Sequence, residues 1–95
     1  MKQLAILGAG ESGLGAALLA KQEGYGVWVS DMGAISLSRK EALIEAGIGF
    51  EEGGHDEAKI LSSDLIIKSP GIPDKAPLIK KAHEEGIPVI DELEF

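Results

Sequence analysis

The sequence predicts an α/β fold in which a five-stranded parallel sheet is covered by helices on both faces. Short apolar runs alternate with segments of helical periodicity, and continuously apolar runs are typical of parallel strands buried on both faces. A glycine-rich loop separates the first run from the first helical segment. Because parallel crossovers are right-handed, five strands alternating with four helices predict a doubly wound, Rossmann-like sheet.

Five short apolar runs predict the strands, and the segments between them predict the helices. The strands are expected over 4–7, 27–29, 48–51, 65–67 and 88–90. The helices are expected over 12–23, from 38 onward, over 56–61 and over 77–85. Gly24 and Gly86 stand at positions typical of helix C-caps, and Pro77 suits a first helical turn. Ser38 and Glu41 have the spacing of a capping box, which predicts that the second helix begins at Ser38.

Length, composition and charge exclude several classes of function. Ninety-five residues predict one domain, 1–95, and the absence of cysteine excludes a disulfide framework and a thiolate zinc site. No apolar stretch is long enough for a bilayer and no signal peptide is evident, so we expect a cytoplasmic protein with no membrane partner. The net charge of −7 is concentrated in residues 51–95, which hold five basic and eleven acidic groups. We therefore expect no nucleic acid as a partner.

A glycine-rich pattern, G-x-G-x-x-G, lies between the first strand and the first helix in Gly8-Ala9-Gly10-Glu11-Ser12-Gly13. In this pattern Gly8 permits a tight turn, Gly10 lets the backbone approach a diphosphate, and Gly13 lets the helix pack on the sheet. The helix N-terminus then offers N–H groups and partial positive charge to phosphates. The alternative interpretation is a tight turn that binds nothing.

Two further loops at the same edge of the sheet carry candidate binding residues. Asp31 closes the second strand about twenty residues beyond the glycine loop, where the acid of a dinucleotide-binding domain accepts hydrogen bonds from ribose hydroxyls. Asp31 could equally accept the imide N–H of a uracil, or cap a turn. The fourth strand is followed by Ser69-Pro70-Gly71-Ile72-Pro73, a stiff loop in which Gly71 permits close approach of a ligand. A rigid turn without a ligand is an equally good interpretation of that loop.

The remaining polar candidates are weaker. Lys68 could face an anionic ligand or extend to solvent from the end of its strand, and His55 is expected to cap a helix or face solvent. A carboxylate cluster is suggested by Asp91, Glu92 and Glu94, but residue 91 points away from the other two in a strand. No histidine or cysteine accompanies them, so we predict no metal site. The sequence contains no G-x-x-x-x-G-K-[ST] triphosphate loop, and we predict no catalytic residue.

Spacing alone favours an NAD(P)-binding domain of a dehydrogenase, and a non-catalytic nucleotide-sensing module is a third reading. The complete set of strings instead resembles the N-terminal domain of the Mur ligases. The strings are Gly8-Ala9-Gly10-Glu11-Ser12-Gly13, Ser30-Asp31, Lys68-Ser69-Pro70-Gly71-Ile72-Pro73 and Gly86-Ile87-Pro88-Val89-Ile90-Asp91-Glu92-Leu93-Glu94-Phe95. The resemblance covers essentially all 95 residues, and the Ser-Pro-Gly-Ile-Pro string and the closing Glu-Leu-Glu-Phe are its most specific parts.

The resemblance implies a UDP-binding domain at the N-terminus of a three-domain ligase. Such an enzyme uses ATP and Mg²⁺ in peptidoglycan synthesis to form an acyl phosphate on UDP-N-acetylmuramoyl-L-alanine, which D-glutamate then attacks. Central ATP-binding and C-terminal domains would complete it, so the 95-residue chain alone is expected to be inactive. The positions carried over to UDP binding are Gly8, Gly10, Glu11, Ser12, Gly13, Asp31, Ser69 and Gly71. Glu11 fits this role if its side chain points to solvent while its backbone N–H faces the phosphates.

Overall fold

The computed structural model describes residues 1–92 and contains the predicted alternation of strands and helices. The strands are β1 (Gln3–Leu7), β2 (Gly26–Asp31), β3 (Gly49–Glu52), β4 (Leu65–Lys68) and β5 (Val89–Asp91). The helices are α1 (Glu11–Gln22), α2 (Leu37–Glu45), α3 (Glu57–Ile60) and α4 (Pro77–Glu84). All strand pairs are parallel and the order is β3-β2-β1-β4-β5, which confirms the predicted fold class. The closing string 93–95, which includes Glu94, lies outside the described residues.

The strand order has a switch point between β1 and β4. The chain runs outward from β1 through β2 to β3 and then crosses to the other side of β1 with β4 and β5. At the carboxyl edge Leu7 pairs with Ser30 on one side and with Lys68 on the other, so the loops after β1, β2 and β4 begin side by side. Ligands of doubly wound sheets bind at this edge, near the switch point.

Two apolar layers hold the helices to the sheet. Because successive side chains of a strand point to opposite faces, Leu4 and Ile6 of β1 pack under α1 and α2, whereas Ala5 and Leu7 pack under α3 and α4. All four side chains are fully buried, and burial of each leucine or isoleucine stabilises the fold by roughly 1.5–3 kcal/mol. The layers leave the carboxyl edge open. None of the helices in residues 1–92 has the length and apolarity needed to cross a membrane.

The C-terminal glycines agree with the predicted signals, but the start of α2 does not. Gly24 and Gly86 have positive φ angles just beyond α1 and α4, as predicted for C-terminal glycines. The start of α2 was wrongly predicted at Ser38, because the N-cap is Ser36. Ser36 has an extended backbone and its Oγ accepts a hydrogen bond from the Arg39 amide, so Ser38 lies inside the first turn.

Candidate functional site

A cleft of about 660 Å³ opens at the carboxyl edge of the sheet, beside the switch point. Six of the eight residues predicted as a binding site line it: Gly8, Gly10, Glu11, Ser12, Asp31 and Ser69. The other two lie next to this group. Gly13 is buried behind Gly8, and the Gly71 amide donates a hydrogen bond to Ser69 Oγ at 3.3 Å. The structure therefore brings together residues that are more than sixty positions apart in the chain.

The glycine loop has the geometry that its sequence predicts. Gly8 has a φ of +103°, and a Cβ placed on Gly13 would lie 2.0 Å from the Gly8 carbonyl oxygen, so both positions require glycine. A Cβ on Gly10 would meet nothing within 4 Å and would enter open space at the cleft. Gly10 is the N-cap of α1 and supplies no side-chain cap, which leaves amides of the first turn available to an anion.

Asp31 connects the end of β2 to the glycine loop. Its Oδ2 accepts a hydrogen bond from the Ala9 amide at 2.7 Å, and its Oδ1 accepts one from the Gly33 amide at 2.8 Å. The turn-capping interpretation of Asp31 is therefore correct. The carboxylate also lines the cleft, so its predicted contact with a nucleotide uses lone pairs that these two amides leave over.

Lys68 does not have either of its predicted roles. Its side chain is only 7% exposed, and its Nζ donates hydrogen bonds to Asp91 Oδ1 at 2.7 Å and to the Ile72 carbonyl at 2.9 Å. The hydrogen bond and charge of Asp91 raise the pKa of Lys68 although burial opposes this. Lys68 neither faces a ligand nor extends to solvent; it ties the loop after β4 to the end of β5.

A polar network that sequence reasoning missed lies behind the β3 side of the cleft. The Glu51 Oε2 accepts hydrogen bonds from Ser30 Oγ at 2.9 Å, from Trp28 Nε1 at 3.1 Å and from the Asp56 amide at 2.8 Å. Ser30 Oγ is also hydrogen-bonded to His55 Nδ1. Burial opposes ionisation of Glu51, but the hydrogen bonds from Asp56, Trp28 and Ser30 hold its pKa below the ordinary value.

His55 itself is a cleft residue rather than a helix cap. It is half-buried and lines the cleft, whereas Asp56 is the N-cap of α3 and accepts a hydrogen bond from the Lys59 amide at 3.2 Å. The expected capping role of His55 is therefore wrong. The available signal was the position of the histidine, which follows two glycines directly after a strand, at the edge where ligands bind.

Glu92 faces the cleft from the end of β5. Its Oε2 is buried and has no hydrogen-bond partner among residues 1–92, and it lies 3.5 Å from the point where a Cβ on Gly13 would stand. Burial and, secondarily, the charge of Asp91 raise the pKa of Glu92. Within the described part of the chain, no group of three or more histidine, cysteine, aspartate or glutamate side chains is placed to hold a metal ion.

Comparison with known proteins decides between the families that share this fold. The family model described as "Mur ligase MurD-like, N-terminal domain" matches residues 2–91. The chain belongs to this family. The resemblance drawn from the four strings is thereby confirmed, and the MurD-like family is the branch that those strings indicated.

Individual relatives agree with this assignment. The chain is 55% identical over 95 residues to the UDP-N-acetylmuramoylalanine--D-glutamate ligase of Bacteroides fragilis, and 56% identical to that of Bacteroides thetaiotaomicron. In both cases the match covers the whole chain and 21% of the relative, so the chain spans about a fifth of these proteins. Among solved structures, the UDP-N-acetylmuramate-alanine ligase MurC of Thermotoga maritima superposes with a TM-score of 0.78 at 27% identity, over 99% of this chain and 21% of that one.

Proposed function

We propose that residues 1–95 form an autonomous domain that binds the UDP moiety of UDP-N-acetylmuramoyl-L-alanine. The parent would be a three-domain, cytoplasmic, ATP-dependent ligase that adds D-glutamate during peptidoglycan synthesis. The observation that carries this proposal is the cleft at the switch point. There the N-terminus of α1 has no side-chain cap, and its N-cap residue, Gly10, borders open space. The membership of the MurD-like family supports the choice of UDP over a nicotinamide dinucleotide.

The diphosphate is assigned to the N-terminus of α1. Amides of the first turn and the positive end of the helix dipole stabilise phosphate charge there, and the missing side chain of Gly10 lets the phosphates approach the backbone. Glu11 is exposed at the cleft, and we assign its carboxylate to solvent and its backbone amide to the phosphates. A glutamate can stand in a phosphate-binding loop only if its negative side chain points away from the phosphates and its amide faces them.

The uracil base is assigned to the space between the ends of β2 and β4. Asp31 stands on one side and Ser69 on the other, and Ile72 and Leu78 add apolar surface to the cleft. The carboxylate of Asp31 accepts hydrogen bonds only, which suits the imide N–H of uracil. The Lys68–Asp91 ion pair fixes the loop that carries Ser69, so this wall of the site is formed before a ligand binds.

ATP and Mg²⁺ are assigned to the central domain of the parent rather than to this chain. The sequence contains no triphosphate loop, and residues 1–92 contain no side-chain cluster suited to a metal ion. ATP and Mg²⁺ therefore do not fit the residues of this chain, and no reaction step is assigned to it. Purified 95-residue chain should release no phosphate from ATP when D-glutamate is added.

Calorimetric titration of the 95-residue chain with UDP, UDP-N-acetylmuramoyl-L-alanine and NADH tests this function. The UDP ligands should bind and NADH should not. Gly10→Ala should weaken UDP binding at least tenfold, because its methyl group enters the space assigned to phosphate. Gly15→Ala is the matched control, since a Cβ at Gly15 also meets nothing within 4 Å but lies on the exposed side of α1. Binding of NADH without binding of either UDP ligand would refute the proposal.

A further inference from the structure

We propose that His55 is a ligand-binding residue of this cleft and that its Nε2 accepts a hydrogen bond from a ribose hydroxyl of the bound nucleotide. Ser30 and Glu51 act as positioning residues that fix the orientation and tautomer of the imidazole. The inference rests on the proposed function and deepens it, because it adds a nucleoside contact outside the glycine loop and the loop after β4.

The location of His55 leaves its side chain available to the cleft. The residue stands just beyond the carboxyl end of β3, and it lines the same cavity as Asp31. α3 does not use it, because Asp56 caps that helix. Among residues 1–92, the imidazole makes one side-chain hydrogen bond, from Nδ1 to Ser30 Oγ, so Nε2 has no protein partner there.

The hydrogen count in the network fixes which ring nitrogen carries the proton. Ser30 has a single hydroxyl hydrogen, and its Oγ lies 2.9 Å from Glu51 Oε2 and 3.3 Å from the Gly54 carbonyl oxygen. The hydrogen goes to the Glu51 carboxylate, because a charge-assisted hydrogen bond is the stronger one. Nδ1 of His55 must then donate to Ser30. A neutral imidazole with its proton on Nδ1 carries a free lone pair on Nε2.

This lone pair supplies an acceptor for the sugar, because the lone pairs that the two amides leave on Asp31 are assigned to the uracil imide. In dinucleotide-binding domains the acid at the end of the second strand accepts ribose hydroxyls, but here both Asp31 oxygens already accept backbone amides, from Ala9 and Gly33. Ribose hydroxyls are hydrogen-bond donors, and Nε2 of His55 is a free acceptor at the neighbouring strand end. We therefore assign the sugar to the β2–β3 side of the cleft.

Substitution of His55 by phenylalanine removes both ring nitrogens and keeps the ring. In calorimetric titrations, His55→Phe should weaken UDP binding about tenfold, the loss of one good hydrogen bond, and leave inorganic pyrophosphate binding unchanged. His83→Phe, on the exposed face of α4, is the matched control and should change neither.

In wild type, either 2′-deoxy-UDP or 3′-deoxy-UDP should bind about tenfold more weakly than UDP. That deoxy ligand should suffer no further loss in His55→Phe, because the same contact is already absent.

The tautomer can be measured in the unmodified chain. Nitrogen-15 spectra of the imidazole should show the proton of His55 on Nδ1, and addition of UDP should shift the Nε2 resonance more than the Nδ1 resonance. Ser30→Ala should release the ring, so that the proton moves partly to Nε2 and UDP binding weakens about threefold. A wild-type His55 that carries its proton on Nε2 would overturn the inference without any variant.

Each remaining outcome is decisive. If His55→Phe weakens binding of both deoxy ligands as much as it weakens binding of UDP, His55 does not bind the sugar. The same conclusion follows if His55→Phe causes no further loss only with N3-methyl-UDP, in which the imide N–H of the base is blocked. Equal weakening of UDP and pyrophosphate would mean that His55 only shapes the cleft, which overturns the inference. Normal UDP binding by wild type and by His55→Phe alike would overturn this inference and leave the proposed function intact. Failure of wild type to bind UDP would overturn both.

Discussion

The carboxylate of Asp31 accepts a hydrogen bond from the amide of Ala9, and this bond holds the end of β2 against the glycine loop. The two residues are 22 positions apart, and the distance between Asp31 Oδ2 and Ala9 N is 2.7 Å. A second backbone bond, from the Gly8 amide to the Ser30 carbonyl at 2.8 Å, lies beside it. The loop assigned to phosphate and the strand end assigned to the nucleoside are thus one connected unit.

Asp31→Asn should therefore weaken phosphate binding as well as nucleoside binding. Asparagine can accept only one of the two amides, from Ala9 or Gly33, and its NH₂ group then faces the other donor. We expect a loss of about 1–3 kcal/mol in the free energy of unfolding and weaker binding of both UDP and pyrophosphate. Asp64→Asn is the matched control, because Asp64 accepts a backbone amide from Gln3 at the opposite edge of the sheet. It should lower stability and leave pyrophosphate binding unchanged. Pyrophosphate binding that is unchanged in Asp31→Asn would show that the bond to Ala9 does not organise the loop.

Gly13→Ala should destabilise the fold rather than change a ligand contact. The new methyl group would lie 2.0 Å from the Gly8 carbonyl oxygen, so helix α1 must move off the sheet. We expect the free energy of unfolding in urea to fall by about 3 kcal/mol. Gly15→Ala on the same helix should raise it by up to about 1 kcal/mol, because alanine has the higher helix propensity and meets no atom there. Similar stabilities for the two variants would contradict the packing described for the glycine loop.

The Lys68–Asp91 pair should respond unequally to loss of each partner. The Lys68 side chain is 7% exposed and that of Asp91 is 39% exposed. Removal of Asp91 leaves a buried ammonium group with the Ile72 carbonyl and the exposed Asp74 carboxylate, 3.6 Å from Nζ, as its remaining partners, whereas removal of Lys68 leaves a half-exposed carboxylate. We expect Asp91→Ala to cost about 3 kcal/mol of stability and Lys68→Met about 1–2 kcal/mol. Thermal or urea unfolding of the two variants and the double variant measures the difference. A larger loss for Lys68→Met would contradict the account.

Glu92 should make stability fall as the pH rises. Its pKa in the folded chain lies above the ordinary value of 4.5, mainly because the carboxyl group is buried, so the folded protein keeps this proton where the unfolded chain loses it. The contribution of Glu92 is therefore most favourable below pH 4.5 and declines as the pH passes through the raised pKa. Glu92→Gln should gain up to about 1 kcal/mol relative to wild type at pH 7 and little at pH 4. Glu45→Gln, on the exposed face of α2, provides a control at pH 7. An equal effect of Glu92→Gln at both pH values would contradict the assignment.

The sheet and the glycine loop could be predicted because their signals are local. The alternation of apolar runs and helical segments predicts the order of elements. Gly8, Gly24 and Gly86 have positive φ angles, which glycine adopts without strain because it has no Cβ, so these turns could be predicted from the residue type. The start of α2 was harder to predict, because both Ser36 and Ser38 are suitable N-cap residues. The glutamate three residues after Ser38 completes a capping pattern, whereas the chain uses the Ser36 hydroxyl alone.

The polar contacts that sequence reasoning missed depend on strand register. Ser30 pairs with Glu51 across β2 and β3, and Lys68 pairs with Asp91 across β4 and β5. Each contact joins residues more than twenty positions apart, and a shift of one residue in either register would place the partners on opposite faces of the sheet. No local pattern specifies that register, so the partner of Lys68 and the network behind His55 emerge only from the structure.

The most direct test of the central claim is a nuclear magnetic resonance titration of the nitrogen-15-labelled chain with UDP-N-acetylmuramoyl-L-alanine. Backbone amide shifts should cluster at residues 8–13, at Asp31 and at residues 69–71, with a smaller group at His55, because these segments surround the cleft. NADH at the same concentration should leave them unchanged. Shifts centred on residues 80–86, or shifts at the glycine loop produced by NADH and not by the UDP ligand, would contradict the account.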